Sequence, residues 1–591
     1  MKANLNYISL QNIILPDMSV CPEKELYFRA TDGDIYFENQ KALKIKNSVT
    51  FDTYFNSFSI GKYNKYCNFS SVYLRVKFCG LFVLRVFSVH KSNDKFHEKC
   101  IVEKEISSDT PSFDITEIDC NILENTAQLY FTLTAKCEST FFGGEFGCIA
   151  DKTKTTSIGV VICTFRREKY ILKNLNAIKN YLANNSFFSQ DKIHFYVIDN
   201  GQTLSKEDIE NPYVSLFYNK NTGGSGGFKR GYIEAQNSDR NHTHILFMDD
   251  DIVLDCEVFF RVYRLLSLLK DEYSGLSVGG TMLKLSNQTI QHEAGAIWDG
   301  KRIINIGNGM DMSKRENVFE ISYLPKCSYN AWWFYCFPSD WSEKHGYPLP
   351  FFIKTDDIEY SLRCASEIAI IGGIAVWHED FESKYDGYQE YYIKRNELIL
   401  TSVNNQKPYA LFQVRKLILS VARQLFYQRY FLVDLIFRAY DDYLLGAEHF
   451  FSTDPEKLNR ELMEYCPKML NDAELKEQYG VYFDKEKYEQ SQSETDNLKK
   501  QLLTLNGYIL PSCFYKKDKD GFNICDLAQC KFKNFYKHKK VLHYDTSKHK
   551  GYVTVQKRSK LLKYCLMLIT KSIKFLIKYP TIRKQFVIRN A

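Results

Sequence analysis

The chain has 591 residues, 45% of them hydrophobic and 25% charged, too long for one core and ordinary for a globular protein of several domains. Its formal charge of +7 is uneven: from Lys531 onward there are 17 Lys and Arg against one acid, Asp545, so this part carries 17 − 1 = +16 and the first 530 residues 7 − 16 = −9. No apolar run reaches the roughly 18 residues needed to span a bilayer, and an acidic body with a basic end points to an anionic surface as partner, with no nucleic acid expected.

The opening "MKANLNYISLQNIILPDMSV" lacks a basic stretch followed by an apolar one, so no secretory signal is expected. Residues 1–150 read as β. "SVYLRVKFCGLFVLRVFSVH" (71–90) and "AQLYFTLTAK" (127–136) alternate and are rich in β-branched and aromatic residues, which predicts an N-terminal antiparallel β-sandwich. "FFGGEFGCIADKTKTTS" (141–157) connects it to a second domain, 151–405.

There "IGVVICTF" (158–165), "IHFYVIDN" (193–200) and "HILFMDD" (244–250) are short apolar runs separated by helical stretches at 167–184 and 226–237. This alternation predicts a Rossmann-like α/β sheet with parallel strands, whose ligands lie at the strands' carboxyl ends. Residues 406–530 read as a helical C-terminal domain and 531–591 as a basic tail. In the tail Leu562, Cys565, Leu566, Ile569, Ile573 and Leu576 share one helical face, and Lys560, Lys563, Lys571, Lys574 and Lys578 lie near another. Pro580 is expected to stop this helix. The pattern fits an amphipathic helix on a membrane surface; the alternative is a terminal helix packed on the body with solvated lysines. The 17 cysteines are odd in number and contain no CxxC, so a reducing cytosol fits better than a disulfide framework.

The chemistry gathers in the second domain. Asp249, Asp250 and Asp251 follow an apolar strand, and adjacent carboxylates need a compensating cation. Mg²⁺ is commonly held by one or two carboxylates together with substrate phosphates, which suits Asp249 and Asp251. "NKNTGGSGGFKRGY" (219–232) opens a helix on glycines, so backbone N–H groups there can meet phosphate. In "YNAWWFYCFP" (329–338) the paired tryptophans fit either stacking on a sugar or core packing. "PFFIKTDDIEYSLR" (350–363) adds Asp356 and Asp357, either of which could take a proton from an attacking hydroxyl. "IAVWHEDF" (374–381) ends a strand with His378, an imidazole able to bind a divalent metal.

Together "NTGGSGGFKRG", "FMDDDI", "YNAWWF", "PFFIKTDDIEYSLR" and "VWHEDF…YYIKRN" resemble, in the same order, the bacterial galactofuranosyltransferases, which are GT-A fold glycosyltransferases. "FDTYFNSFSIGKYNKYC" (51–67) is similar to that family's N-terminal β-domain, and the likeness extends over roughly residues 25–400. It implies a GT-A domain in which Asp249, Asp251 and His378 bind Mn²⁺ or Mg²⁺, and the ion holds the diphosphate of a UDP-sugar donor. Thr164, Phe165, Arg167, Asp199, Asn221, Gly223, Gly224 and Asp250 would surround the nucleotide-sugar. Asp357 would be the catalytic base, Asp356 would orient the acceptor hydroxyl, and Trp332, Trp333 and Glu293 would shape the acceptor site. The implied reaction is inverting transfer of galactofuranose from UDP-galactofuranose to a hydroxyl of a cell-surface or lipid-linked glycan. The enzyme would lie peripherally on the inner face of the cell membrane, and a homo-oligomer is compatible with the family. A pyranose donor, a nucleotidyltransferase, and a non-catalytic carbohydrate-binding protein are the alternatives.

Overall fold

Eight strands between Tyr7 and Ile149 form one antiparallel sheet: β1 (Tyr7–Ile13), β2 (Ile35–Glu38), β3 (Ala42–Ile45), β4 (Ser48–Thr50), β5 (Ser71–Ser92), β6 (Lys95–Ile118), β7 (Gln128–Ala135) and β8 (Ser139–Ile149). Their order is β2-β3-β8-β5-β7-β4, with β1 beside β8 and β6 beside β5. This computed structural model describes all residues except 1–6, 31–34, 39–41, 120–122, 380–386, 405–408, 494–496, 517–520, 528 and 589–591.

Two separate packed sheets were the expectation; the strands instead belong to one bent sheet. The 22-residue β5 pairs with β8 through its first half and with β7 through its second. The change of partner falls at Gly80, which has φ +109 and where a Cβ would lie 2.2 Å from Ser139 Oγ. Only glycine fits such a corner. Phenylalanines from both arms then meet: Phe51 stacks on Phe131 at 4.4 Å and Phe58 on Phe146 at 5.0 Å, while Phe131 approaches Phe146 at 6.2 Å. The sheet closes over an aromatic core much as a sandwich does.

The second sheet is mixed. Its strands are β9 (Ile158–Thr164), β10 (Ile193–Asp199), β11 (Val214–Tyr218), β12 (His244–Asp249), β13 (Ser277–Lys284) and β14 (Gln291–Glu293). A two-stranded ribbon follows, β15 (Ala296–Trp298) and β16 (Ile303–Asn305), and then β17 (Phe334–Pro338) and β18 (Ile368–His378) complete the sheet. The order is β11-β10-β9-β12-β17-β13-β14, with β18 beside β13. β11, β10, β9 and β12 run parallel, and β17 is antiparallel to both its neighbours. Every residue of β10 is buried, as expected for a strand covered on both faces. The helix Gly223–Gln236 lies very close to β9: a Cβ on Gly231 would meet Val161 Cγ1 at 2.2 Å, and one on Gly227 would meet Cys163 Sγ at 2.1 Å.

By its internal contacts the chain forms two units, Met1–Leu349 with Asp357–Asp380, and Pro350–Asp356 with Phe381–Ala591. Both sheets above belong to the first unit. The expected boundary at 405/406 lies outside the described residues. The expected boundary at 530/531 is corrected: it would cut a four-stranded sheet of the second unit, in the order β19-β22-β21-β20. Its strands are β19 (Leu470–Asn471), β20 (Asn523–Asp526), β21 (Lys540–Asp545) and β22 (Lys550–Val555). The region after 531 is therefore part of a folded body and not a tail. The alternating "KVLHYD" and "KGYVTV" carry that signal among the lysines.

The last helix runs Arg558–Ile588 and packs on the helices Gln389–Val403, Ala410–Phe426 and Tyr430–Tyr443. Pro580 does not end it. Aromatic contacts on both sides of the proline hold the helix down: Tyr579 lies 6.0 Å from Tyr443 and Phe586 stacks on Tyr443 at 5.4 Å. The packed face is thus aromatic, formed by Tyr564, Phe575, Tyr579 and Phe586, all buried. The aliphatic stripe of Leu562, Leu566, Ile569, Ile573, Leu576 and Ile577 faces outward, each residue between 39% and 72% exposed. Two of the helix's lysines, Lys571 and Lys574, pair with Asp441. Among the described residues no helix is long and apolar enough to cross a membrane.

Candidate active site

The parallel strands of the second sheet end on one rim, and the acid triplet sits there. Asp249 closes β12 and Asp251 follows in the turn. His378 is the last residue of β18 and stands opposite Lys284 of β13 in register. His378 Nε2 lies 3.2 Å from Asp251 Oδ1 and 3.9 Å from Asp249 Oδ2. One ligand atom from each of the three residues lies within 4.8 Å of the others. The ring's other nitrogen, Nδ1, is 2.7 Å from the Glu379 carbonyl, so it carries the proton and donates there. With Nδ1 committed there, Nε2 is the nitrogen that faces the two carboxylates and the one a metal would take. Asp251 and His378 are buried, while Asp249 is about one-third open to solvent (35%). Two carboxylate oxygens and one imidazole nitrogen, with one open side, suit a hard or borderline divalent ion that also takes phosphate oxygens.

Asp250 is turned away from this trio. Its carboxylate accepts from Thr164 Oγ1 at 2.6 Å and Arg167 Nη1 at 3.2 Å. The Arg167 guanidinium also reaches Asp251 Oδ2 at 2.7 Å. Burial pushes the Asp250 carboxyl up to about 6, against the opposing pull of Arg167 and Thr164. Thr164 and Arg167 therefore organise the triplet. In formal charge, three carboxylates against one guanidinium leave −2, the charge that one divalent ion cancels.

Asp199 is fully engaged within its own loop. Its two oxygens accept from the backbone N–H groups of Gly201, Gln202, Thr203 and Leu204 at 2.7–2.9 Å. It shapes the rim next to β9 and does not project from it. Phe165 is exposed at the end of β9, with the Arg166 guanidinium 5.2 Å above its ring. Asn221 accepts from the N–H of Gly223, the first residue of the glycine-rich helix. A Cβ on Gly224 would meet nothing within 4 Å, so this end of the helix is open, whereas Gly227 and Gly231 serve packing.

Trp332 and Trp333 are 5% and 4% exposed. Trp332 packs edge-on against Phe228, Phe247 and Tyr360, and Trp333 Nε1 donates to the Gly280 carbonyl at 2.8 Å. Of the two readings open in the sequence, core packing is the one these rings adopt. Stacking of their faces on a sugar does not fit rings that are so nearly buried.

Glu293 ends β14, opposite Met282. It is buried, and its Oε1 has no hydrogen-bond partner. Burial first, and then the charge of Asp357, raise its carboxyl to about 8, so at neutral pH it is mostly protonated. Asp357, in the first turn of the helix Asp356–Cys364, is half-buried, and its Oδ1 accepts the N–H of Ile358 at 2.8 Å. Two carboxyl groups in one neighbourhood, one held neutral, make a division of acid and base roles available.

What holds the acid pair in place was missed in the sequence. In the loop before it Phe352, Lys354 and Thr355 have φ of +75°, +66° and +76°. Bulky and β-branched residues adopt that region only when their surroundings impose it. Asn396 imposes it here: its Nδ2 lies within reach of the carbonyls of Phe351, Ile353 and Lys354 at 3.4, 2.9 and 2.9 Å, and Arg395 Nη2 donates to Phe351 at 2.9 Å. The "KRN" of "YYIKRN" was the available signal.

Comparison with known proteins agrees with this geometry. Residues 10–146 match the family model Galactofuranosyltransferase 2 N-terminal, and residues 159–316 match Glycosyl transferase family 2. The chain is 28% identical over 440 residues to galactofuranosyltransferase GlfT2 of Mycobacterium tuberculosis, covering 69% of this chain and 67% of that protein. It is 26% identical over 441 residues to GlfT2 of Mycolicibacterium smegmatis, covering 69% and 65%. The chain thus aligns with about two thirds of the length of these relatives. Among solved structures, the mannosyltransferase PcManGT from Pyrobaculum calidifontis in complex with GDP-Man and Mn2+ aligns with a TM-score of 0.29 at 10% identity, covering 53% of this chain and 80% of that one. With both family models matched in order, and the acids and imidazole of the motifs gathered at the rim of the second sheet, the chain is a glycosyltransferase similar to the GlfT2 galactofuranosyltransferases.

Proposed function

We propose that the protein transfers galactofuranose from UDP-galactofuranose to a hydroxyl of a cell-surface or lipid-linked glycan, with inversion and with a divalent ion. The observation that carries this reading is the meeting of Asp249, Asp251 and His378 ligand atoms within 4.8 Å at the sheet rim. Mn²⁺ or Mg²⁺ fits these donors, and a bound ion supplies neutralisation of charge on the departing nucleoside diphosphate. Arg167 fixes Asp251, one of the carboxylates that hold it, and Asp250 beside it. The open end of the glycine-rich helix at Gly224 takes a phosphate oxygen, with the Gly223 N–H held by Asn221. Asp357 accepts the proton of the acceptor hydroxyl while that oxygen attacks the anomeric carbon on the face opposite UDP. The glycosidic bond forms as the sugar–phosphate bond breaks, the pair of electrons leaves on UDP, and no covalent sugar–enzyme species arises. Glu293, held protonated by burial and by the Asp357 charge, does not compete with Asp357 for the proton.

The same reading seats the chain on an anionic lipid surface. The outward aliphatic stripe of the last helix supports it, as do exposed Leu411, Ile418 and Leu419 on the helix against which it packs and exposed Lys557, Arg558, Lys563 and Lys578.

A donor screen with purified protein and each divalent ion tests the reading. Transfer from UDP-galactofuranose that disappears with chelator or with Asp249→Ala is expected. Transfer from UDP-galactopyranose alone rejects the donor, and activity unaltered by chelator and by Asp249→Ala rejects the ion. Release of pyrophosphate in place of UDP would make the protein a nucleotidyltransferase.

A further inference from the structure

A second cluster of ligand-type side chains lies far along the chain, in the four-stranded sheet. Cys525 of β20 and His543 of β21 are register partners on adjacent parallel strands, so their side chains emerge side by side on one face. Cys530 returns to them five residues later. Cys525 Sγ lies 3.4 Å from Cys530 Sγ and 3.5 Å from His543 Nδ1, and all three ligand atoms fall within 4.8 Å of one another. A tetrahedral centre with metal–sulfur bonds of about 2.3 Å has sulfur–sulfur edges of about 3.7 Å, so the cluster is already close to the size required.

The surroundings prepare it. His543 Nε2 lies 3.0 Å from Thr554 Oγ1; with the ring proton donated there, Nδ1 keeps its lone pair towards the sulfurs. An imidazole oriented through its second nitrogen is the usual outer support of a metal site. Arg429 Nη2 lies 2.8 Å from Cys530 Sγ, an N–H···S contact that stabilises thiolate, and its Nε makes a longer 3.4 Å contact to His543 Nδ1. Cys525 and His543 are fully buried, whereas Cys530 is only half-buried and leaves an approach from solvent.

We propose that Cys525, Cys530 and His543 bind a zinc-class cation that staples β20, the turn after it and β21. Two thiols lose their protons to solvent on binding, Nδ1 gives its lone pair in place of its contact with Arg429, and water fills the fourth position. The site is separate in chemistry from Asp249, Asp251 and His378: two sulfurs select a softer ion than carboxylates do. Its failure would leave the transferase reading untouched.

The test uses the full-length chain, purified under reducing conditions, and cobalt(II) as the probe. One equivalent of cobalt should give a sulfur-to-cobalt band in the near ultraviolet with tetrahedral ligand-field bands, and zinc should displace it. The signal should survive Asp249→Ala and vanish in Cys530→Ser, whose half-exposed position makes it the mildest change. Thr554→Val should weaken zinc by about 10–100-fold while the fold persists. Absence of the sulfur-to-cobalt band in the reduced wild-type chain overturns the proposal whatever the variants do. So does a band that persists in Cys530→Ser, or a Cys525–Cys530 disulfide that re-forms under the reducing buffer and excludes cobalt.

Discussion

Three successive aspartates are tolerated at 249–251 because each has different company. Asp250 is held by Thr164 and Arg167, Asp251 by Arg167 and His378, and Asp249 faces the open side. Replacing Asp251 or His378 by alanine should abolish ion-dependent donor binding, read by calorimetry with UDP in the presence of Mn²⁺. Asp357→Asn should leave that binding intact and lower kcat by about 10²–10⁴-fold, the usual contribution of a general base. Glu293 makes a prediction in pH. Its folded carboxyl titrates near 8 against an ordinary 4.5, so the folded state binds the extra proton across that window. Stability from this group is full below pH 4.5 and falls as pH rises through 8. Asp250 and Glu257 are raised in the same direction, to about 6 and about 7, so the difference between proteins is the measure. Glu293→Gln should flatten the decline of Tm between pH 5 and 8 relative to wild type; an unchanged slope would reject the assignment. That Asp249, Asp251 and His378 stand at strand ends was legible in the sequence, and the family resemblance implied that they converge. The inward turns of Asp199 and Asp250 were not, since they depend on backbone amides and a guanidinium brought by folding.

At the scale of elements, the loop before Asp356 is held out of its preferred conformation by one amide side chain. Asn396→Ala leaves three carbonyls without that donor and frees a loop whose left-handed residues cost roughly 1–3 kcal/mol each. The expected result is a fall in kcat with donor affinity retained, and faster proteolysis within 350–356. The glycine-rich helix shows how one motif can serve two ends. Its fitness for phosphate was readable from the glycines, but the 2.2 Å clearance at Gly231 was not, because close helix–sheet contact leaves no local mark. Gly231→Ala should destabilise by about 1–3 kcal/mol through overpacking, measured by urea unfolding, with little effect on the affinity of the remaining folded protein for UDP. The tryptophan pair tells a similar story: aromatic rings suit both sugars and cores, and only packing against Phe228, Phe247 and Tyr360 decided between them.

For the molecule as a whole, the β-then-α/β order of the chain was plain from periodicity, whereas the end of the chain was misread as a tail. Charge counting weighs lysines and overlooks that β21 and β22 alternate, and proline was given the power to end a helix that aromatic contacts sustain. The last helix belongs to both readings: it packs through its aromatic face and leaves its aliphatic face outward. Changing Leu562, Leu566, Ile569 and Ile573 together to serine should leave catalysis on a short soluble acceptor near wild type and lower recovery with anionic vesicles by about tenfold or more in a flotation assay. Equal flotation would reject lipid contact. A catalyst seated through that stripe meets its lipid-linked acceptor in two dimensions. Its rate should then track the mole fraction of acceptor within the bilayer and not the concentration in the tube, so diluting the vesicles with inert lipid at constant total acceptor should slow the reaction.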